Sequence, residues 1–247
     1  MANGKQNGIG IRRLFAEGVM VVASILVAFA LDAWWEERQL EQEMREDLTI
    51  VQAELTENIR LAEQMIEMMG RVTDAGDSIV DAMLAKPDAA QIEVPGQWLY
   101  WGMFNNPTLD PSLGAIDAWI ATGRLAGIRN AELRKRLASV RGKVDDVTEE
   151  QHIARELGTR DLYPLLSEVM NDLGPIAETF AAGLTQRQRI GVHDIAELEP
   201  MAIPNGNGIQ LLMQARILWY RASLGEMGDF RDELLEIQAL LNEELER

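Results

Sequence analysis

The residues best equipped for chemistry are few. Two histidines, His152 and His193, are the only imidazoles, and there is no cysteine. Glu149-x-x-His152 has the spacing that puts an acid and an imidazole on one helical face, as in di-iron bundles. Such a centre needs a second copy, and His193 has no glutamate three residues before it. Without cysteine, disulfides, thiolate catalysis and cysteine-ligated zinc are excluded. No phosphate-binding glycine loop, nucleophile elbow or His-Glu-x-x-His occurs. Acid pairs such as Asp145-Asp146 and Glu149-Glu150 are expected on solvated faces of a chain with net charge -17. No catalytic residue, cofactor or metal is assigned, and a non-enzymatic protein is expected.

The remaining candidate is aromatic. Trp98, Tyr100, Trp101 and Phe104 fall in an irregular stretch and could contact a ligand or partner, since such rings give large area at low entropy cost. The alternative is that they cap the bundle core or touch the membrane surface, and Met65, Met68 and Met69 are expected to fill gaps in the core rather than hold a metal. The acidic balance speaks against nucleic acid, whose phosphates require Lys and Arg patches.

These residues need a scaffold, and the chain of 247 residues is 47% apolar and 26% charged, ample for a core. The dominant feature is the apolar run Gly18–Leu31 between Glu17 and Asp32. Counting 14–35 gives about 22 residues, or about 33 Å of helix, which fits a hydrocarbon core of about 30 Å. Trp34 and Trp35 occupy an aromatic-belt position. Lys5, Arg12 and Arg13 precede the span without acids, predicting an inside N-terminus with the bulk outside. The rival is a signal peptide cleaved after Ala28-Phe29-Ala30. Glu17 at the head of the run, and the lack of a helix breaker from Val19 to Met69, favour an uncleaved anchor.

Within the span, Glu17, Val21, Ser24, Ala28 and Asp32 share one stripe. An oligomer could line a polar path with Glu17, Ser24 and Asp32, or the acids could simply mark the membrane interfaces. Ala16, Ala23 and Ala30 form a second stripe of small residues suited to close helix contact. Beyond it, Leu40, Met44, Leu48, Val51, Leu55, Ile59, Ala62 and Ile66 repeat at 4-4-3-4-4-3-4. That eleven-residue period keeps one seam on a nearly straight helix and predicts packing against a neighbour, in its own domain or another copy.

The predicted organisation is a short cytoplasmic tail (1–13), a transmembrane helix (14–35), a rod helix (36–69) and a helical bundle domain (70–247). Gly70 is expected to end the rod before a short helix over 72–85. Irregular segments are expected near 86–110 and 185–208. Asp110-Pro111 reads as a helix start and Gly123 as its stop, with Asn130 capping the next helix. That helix carries the seam Leu133, Leu137, Val140, Val144, Val147, Gln151 and Ala154, with Gln151 the polar intrusion. Short helices are plausible over 162–173 and 175–184, with a last one opening at Asn207. The fold class is all-α: a spanning helix continuing into an amphipathic helix, plus an antiparallel bundle.

Two segments together resemble an uncharacterised family of bacterial single-span membrane proteins. The first is Phe15-Ala16-Glu17-Gly18 with its apolar run and Asp32-Ala33-Trp34-Trp35-Glu36-Glu37-Arg38. The second is Thr122-Gly123-Arg124-Leu125 through Ile128, Asn130 and Leu133-Arg134. The resemblance implies an N-terminally anchored helical protein of unknown function, with no catalytic residues to carry over. The functional expectation is a structural, oligomerising or accessory subunit of a membrane complex. It would have the bilayer, further copies or other membrane subunits as partners, in the bacterial inner membrane with its bulk in the periplasm. The alternatives are an extracytoplasmic binding module using residues 98–104, and an oligomeric pore.

Overall fold

The computed structural model describes residues 7–167 and 198–246, with side chains from residue 15 onward. The architecture is all-α with one small sheet. Its elements are helix α1 (Asn7–Leu84), strand β1 (Gln91–Val94), a short turn α2 (Gly96–Trp98) and a π-helix over Leu99–Phe104. Then follow α3 (Gly114–Thr122), a 3-10 turn Arg124–Gly127, α4 (Ala131–Glu156), a second π-helix Leu157–Leu162 and α5 (Tyr163–Ser167). Strand β2 (Met201–Pro204) and helix α6 (Asn207–Leu245) complete it. The chain divides into two compact units, 1–51 and 52–247, the first holding the start of α1 and the second the bundle.

The α1 helix does not stop at Gly70; it runs on to Leu84. A Cβ at Gly70 would meet nothing within 4 Å, so the residue is merely tolerated there. A mid-helix glycine costs about 1 kcal/mol relative to alanine. Burial of Val72, Ala75, Ile79 and Met83 just beyond outweighs that cost. The bundle thus begins at Gln52, inside the predicted rod.

The predicted seam holds at Leu48, Val51, Leu55, Ile59 and Ala62, all buried. It then departs from the eleven-residue repeat. Met65 and Met69 are buried and Ile66 only half so, because the stripe shifts towards a seven-residue period as the bundle closes. At the other end Leu40 is 64% exposed and Met44 half-buried, so the seam is covered only gradually from its first position.

Asn58 occupies this buried face and is satisfied by the backbone. It donates to the Ser112 carbonyl (2.6 Å) and accepts from the Ser112 N–H (3.0 Å). One turn earlier, the Glu54 carboxylate accepts from the N–H groups of Ala115 (2.9 Å) and Ile116 (3.1 Å). Glu54 therefore caps α3 from another helix, which corrects the expected start at Asp110-Pro111. The α3 helix opens at Gly114, and its N-cap residue Leu113 supplies no side-chain bond. Gly123 ends it in the left-handed conformation (φ 71°), as expected of a residue without Cβ.

Asn130 caps α4 through Glu132 N (3.0 Å) and Leu133 N (3.2 Å). The polar member of its seam, Gln151, is fully buried. It accepts from Leu109 N (2.7 Å) and donates to the Val147 carbonyl (2.9 Å). Helices α4 and α6 pack together, tied by Arg136 to Glu233 (2.7 Å). The sheet is antiparallel, with Ile92 opposite Ile203, both in the core. Neither strand was expected; each has four residues, and both fall in the predicted irregular stretches. The expected helix over 175–184 lies outside the described residues, as does the part of 162–173 beyond Ser167.

Candidate functional site

Three places along the chain collect the residues that could act. The first is the start of α1. Every described residue from Phe15 to Trp35 is exposed, Met20 by 74% and Phe29 by 66%. Its most apolar window has mean hydropathy 2.0 and no buried share. Among the described residues, α1 is the helix long and apolar enough to cross a membrane. A soluble helix with this face would leave a large apolar surface in water. Glu17 and Asp32 are exposed at its ends, as are Ala16, Ala23 and Ala30. The Ser24 hydroxyl donates to the Met20 carbonyl (2.6 Å), with the Val21 carbonyl 3.1 Å away. Its proton is thus engaged inside its own helix. The Arg38 guanidinium lies over the Trp34 ring, 5.4 Å from its centroid.

The second place is the aromatic segment, which the bundle takes inward. Tyr100, Trp101 and Phe104 are buried and Trp98 is half-buried. Tyr100 and Trp101 meet edge to face at 5.2 Å, and Arg71 covers Trp101 from α1. These rings form core rather than an open ligand surface. A reason lies at Gly102, where a Cβ would come within 2.8 Å of the Gly76 backbone nitrogen. Gly102 thereby lets the π-helix lie directly against α1, which draws its rings inside, while a Cβ at Gly76 would instead meet the Ile217 side chain of α6 at 2.8 Å.

Beside that contact sits a residue the sequence reading passed over. Arg216 on α6 is 1% exposed, yet no acid pairs with it among the described residues. Its Nη1 donates to the Gly102 carbonyl, and Nη2 donates to the Asn105 carbonyl and to Asn106 Oδ1 (3.2 Å). A π-helix ends with carbonyls that no later N–H reaches, and the guanidinium fork satisfies the Gly102 carbonyl together with that of Asn105, the residue that ends the helix. Asn106 also donates to the Tyr163 hydroxyl (2.5 Å), which donates to the Phe104 carbonyl (2.7 Å). The second π-helix joins through Gly158, where a Cβ would come within 3.3 Å of Arg216 Nε. The Tyr220 ring stands 5.0 Å from the guanidinium. Neither the Tyr220 hydroxyl nor Arg216 Nε completes a hydrogen bond of good geometry among the described residues, although the two side chains lie close enough to interact.

Burial sets the titration of this knot. It pushes the Arg216 guanidinium below its ordinary value, and it pushes the Tyr220 phenol up to about 12. Burial raises Tyr163 as well. At neutral pH the cluster thus offers fixed positive charge and hydrogen-bond geometry, with protonated phenols rather than a proton acceptor. A sequence signal existed. On α6 the positions Ile209, Met213, Arg216, Tyr220, Ser223, Met227 and Phe230 step 4-3-4-3-4-3, so Arg216 stands on the buried seam.

The third place is acidic. Between α4 and α6 runs a groove lined by Lys143, Asp146, Glu149, Glu150, Glu226 and Asp229. Burial, and then the neighbouring Glu150 carboxylate, raise the Glu226 carboxyl above its usual range. His152 is exposed, and among the described residues no three metal-capable side chains converge. His193 lies outside the described residues.

The chain matches no family model, no curated protein and no solved structure. The resemblance to the anchored family rests on the two segments quoted for it.

Proposed function

We propose that this protein is a non-enzymatic, membrane-anchored helical subunit that acts through assembly, with further copies of itself or as an accessory part of a membrane complex. The observation carrying this reading is the character of α1. Its apolar beginning is wholly uncovered, while the same unbroken helix supplies buried seam residues from Leu48 onward. A helix that is apolar all round and uncovered suits lipid, and a one-sided seam suits protein. The Lys and Arg residues before the span, with predominantly acidic sequence after it, support an inside N-terminus. The bulk would then lie on the periplasmic side of a bacterial inner membrane. The acidic groove and the buried Arg216 knot are compatible with a structural role, since each is explained by packing between helices.

The test is extraction followed by mass. Full-length protein should stay with membranes through an alkaline carbonate wash and then run in mild detergent as an assembly larger than one chain. A strict single chain with no co-purifying subunit would overturn the proposal.

A further inference from the structure

The α6 helix carries two apolar seams. The inner one, Ile209 to Leu241, is in the core. The outer one is Leu211, Ala215, Leu218, Ala222 and Gly225, stepping 4-3-4-3. Leu211 and Leu218 are 67% and 64% exposed. Ala222 and Gly225 are exposed too, and Ala215 is half-buried. We infer that this outer stripe is the surface on which a second copy of the chain docks, α6 against α6 in parallel. The inference rests on the assembly reading above and names its surface.

Two observations select this occupant. The spacing is that of a heptad, with Leu211, Leu218 and Gly225 at one core position and Ala215 and Ala222 at the other. Parallel pairing of identical stripes then gives two leucine layers with small layers beside them that let the backbones approach. Finally, parallel heptads bring a flanking residue opposite the one five positions later on the other helix. Arg221, which in its own chain is half-exposed and paired with Asp77, thus also faces Glu226 of the other copy, and a two-fold makes the contact twice. Glu226 lies in its own chain beside Glu150, Asp146 and Glu149; a guanidinium from outside relieves that crowding.

The seam also has an end. Continuing the heptad leads to Asp229 and Asp232, which would oppose their own copies, so pairing stops after Gly225. Four turns bury on the order of 1,000 Å², the lower end for a specific interface. Anchoring both copies in one bilayer raises their effective concentration and lets so small a seam suffice.

The chain has no cysteine, so single substitutions report directly. In membranes containing the full-length protein, mild oxidation should link Ala222→Cys to itself as a dimer. Lys135→Cys, exposed on α4, should stay single. Leu218→Lys should reduce the detergent mass of the wild-type assembly to one chain, with unchanged circular dichroism. If Ala222→Cys links no better than Lys135→Cys, or Leu218→Lys leaves the mass unaltered, the seam is wrong while an oligomeric wild type keeps the assembly reading alive. A single-chain wild type overturns both.

Discussion

Arg216 shows how one side chain can organise three segments. Its charge lies in the core with no acid paired to it among the described residues, and its partners are carbonyl and amide oxygens of 102, 105 and 106. Removing it takes a donor from acceptors inside the bundle, which is more costly than losing a solvated bond. Arg216→Met is expected to lower unfolding free energy by about 3 kcal/mol, read from the urea midpoint. Arg216→Lys should recover little of it, because an ammonium cannot span two carbonyls as the fork does. A change below about 0.5 kcal/mol in Arg216→Met would contradict this role. The buried polar residues were partly legible beforehand. Gln151 stood out as a polar intrusion on an apolar stripe, and its two hydrogen bonds explain it. Arg216, Tyr220 and Ser223 stand on an equally regular stripe, but hydrophobic periodicity is usually counted with apolar residues alone. Asn58 escaped for the same reason.

Among the elements, long periodic helices were readable and short non-local ones were not. The α4 helix follows its heptad, and Asn130 and Gly123 act as cap and stop because those roles depend on neighbouring backbone alone. The α3 start depends on Glu54, about sixty residues earlier, which no local motif reveals. Gly70 was overruled by the burial on either side of it. The strands form only because 91–94 and 201–204 meet, more than a hundred residues apart. The π-helix at 99–104 depends on the Gly102–Gly76 contact.

The α4–α6 interface also carries a pH response. Glu226 is raised above its usual range, so the folded chain holds this proton to higher pH than the unfolded chain. Its unfavourable contribution is absent in acid, below the ordinary carboxyl range, and grows as pH rises through that range. Glu226→Gln should therefore raise the urea midpoint relative to wild type at pH 8 and leave it nearly unchanged at pH 4. An equal difference at both pH values would show that the carboxylate crowding is unimportant.

At the scale of the whole molecule, the two units differ in how their apolar residues are covered. Residues 15–35 bury nothing in protein, whereas the later part of α1 contributes Leu55, Ala62, Met69 and Met83 to a dry core. The long apolar helix at the start of the chain was the most legible feature of the sequence, since length and hydropathy alone define it. The aromatic segment was the least predictable, because whether rings face out or in depends on a backbone contact. The decisive measurement is cysteine scanning along α1 in intact membranes with a membrane-impermeant maleimide. Val22→Cys and Leu26→Cys should resist labelling, and Leu40→Cys should react from one side of the bilayer only. Full labelling at Val22 and Leu26, or a mature chain beginning after Ala30, would contradict a lipid-embedded α1.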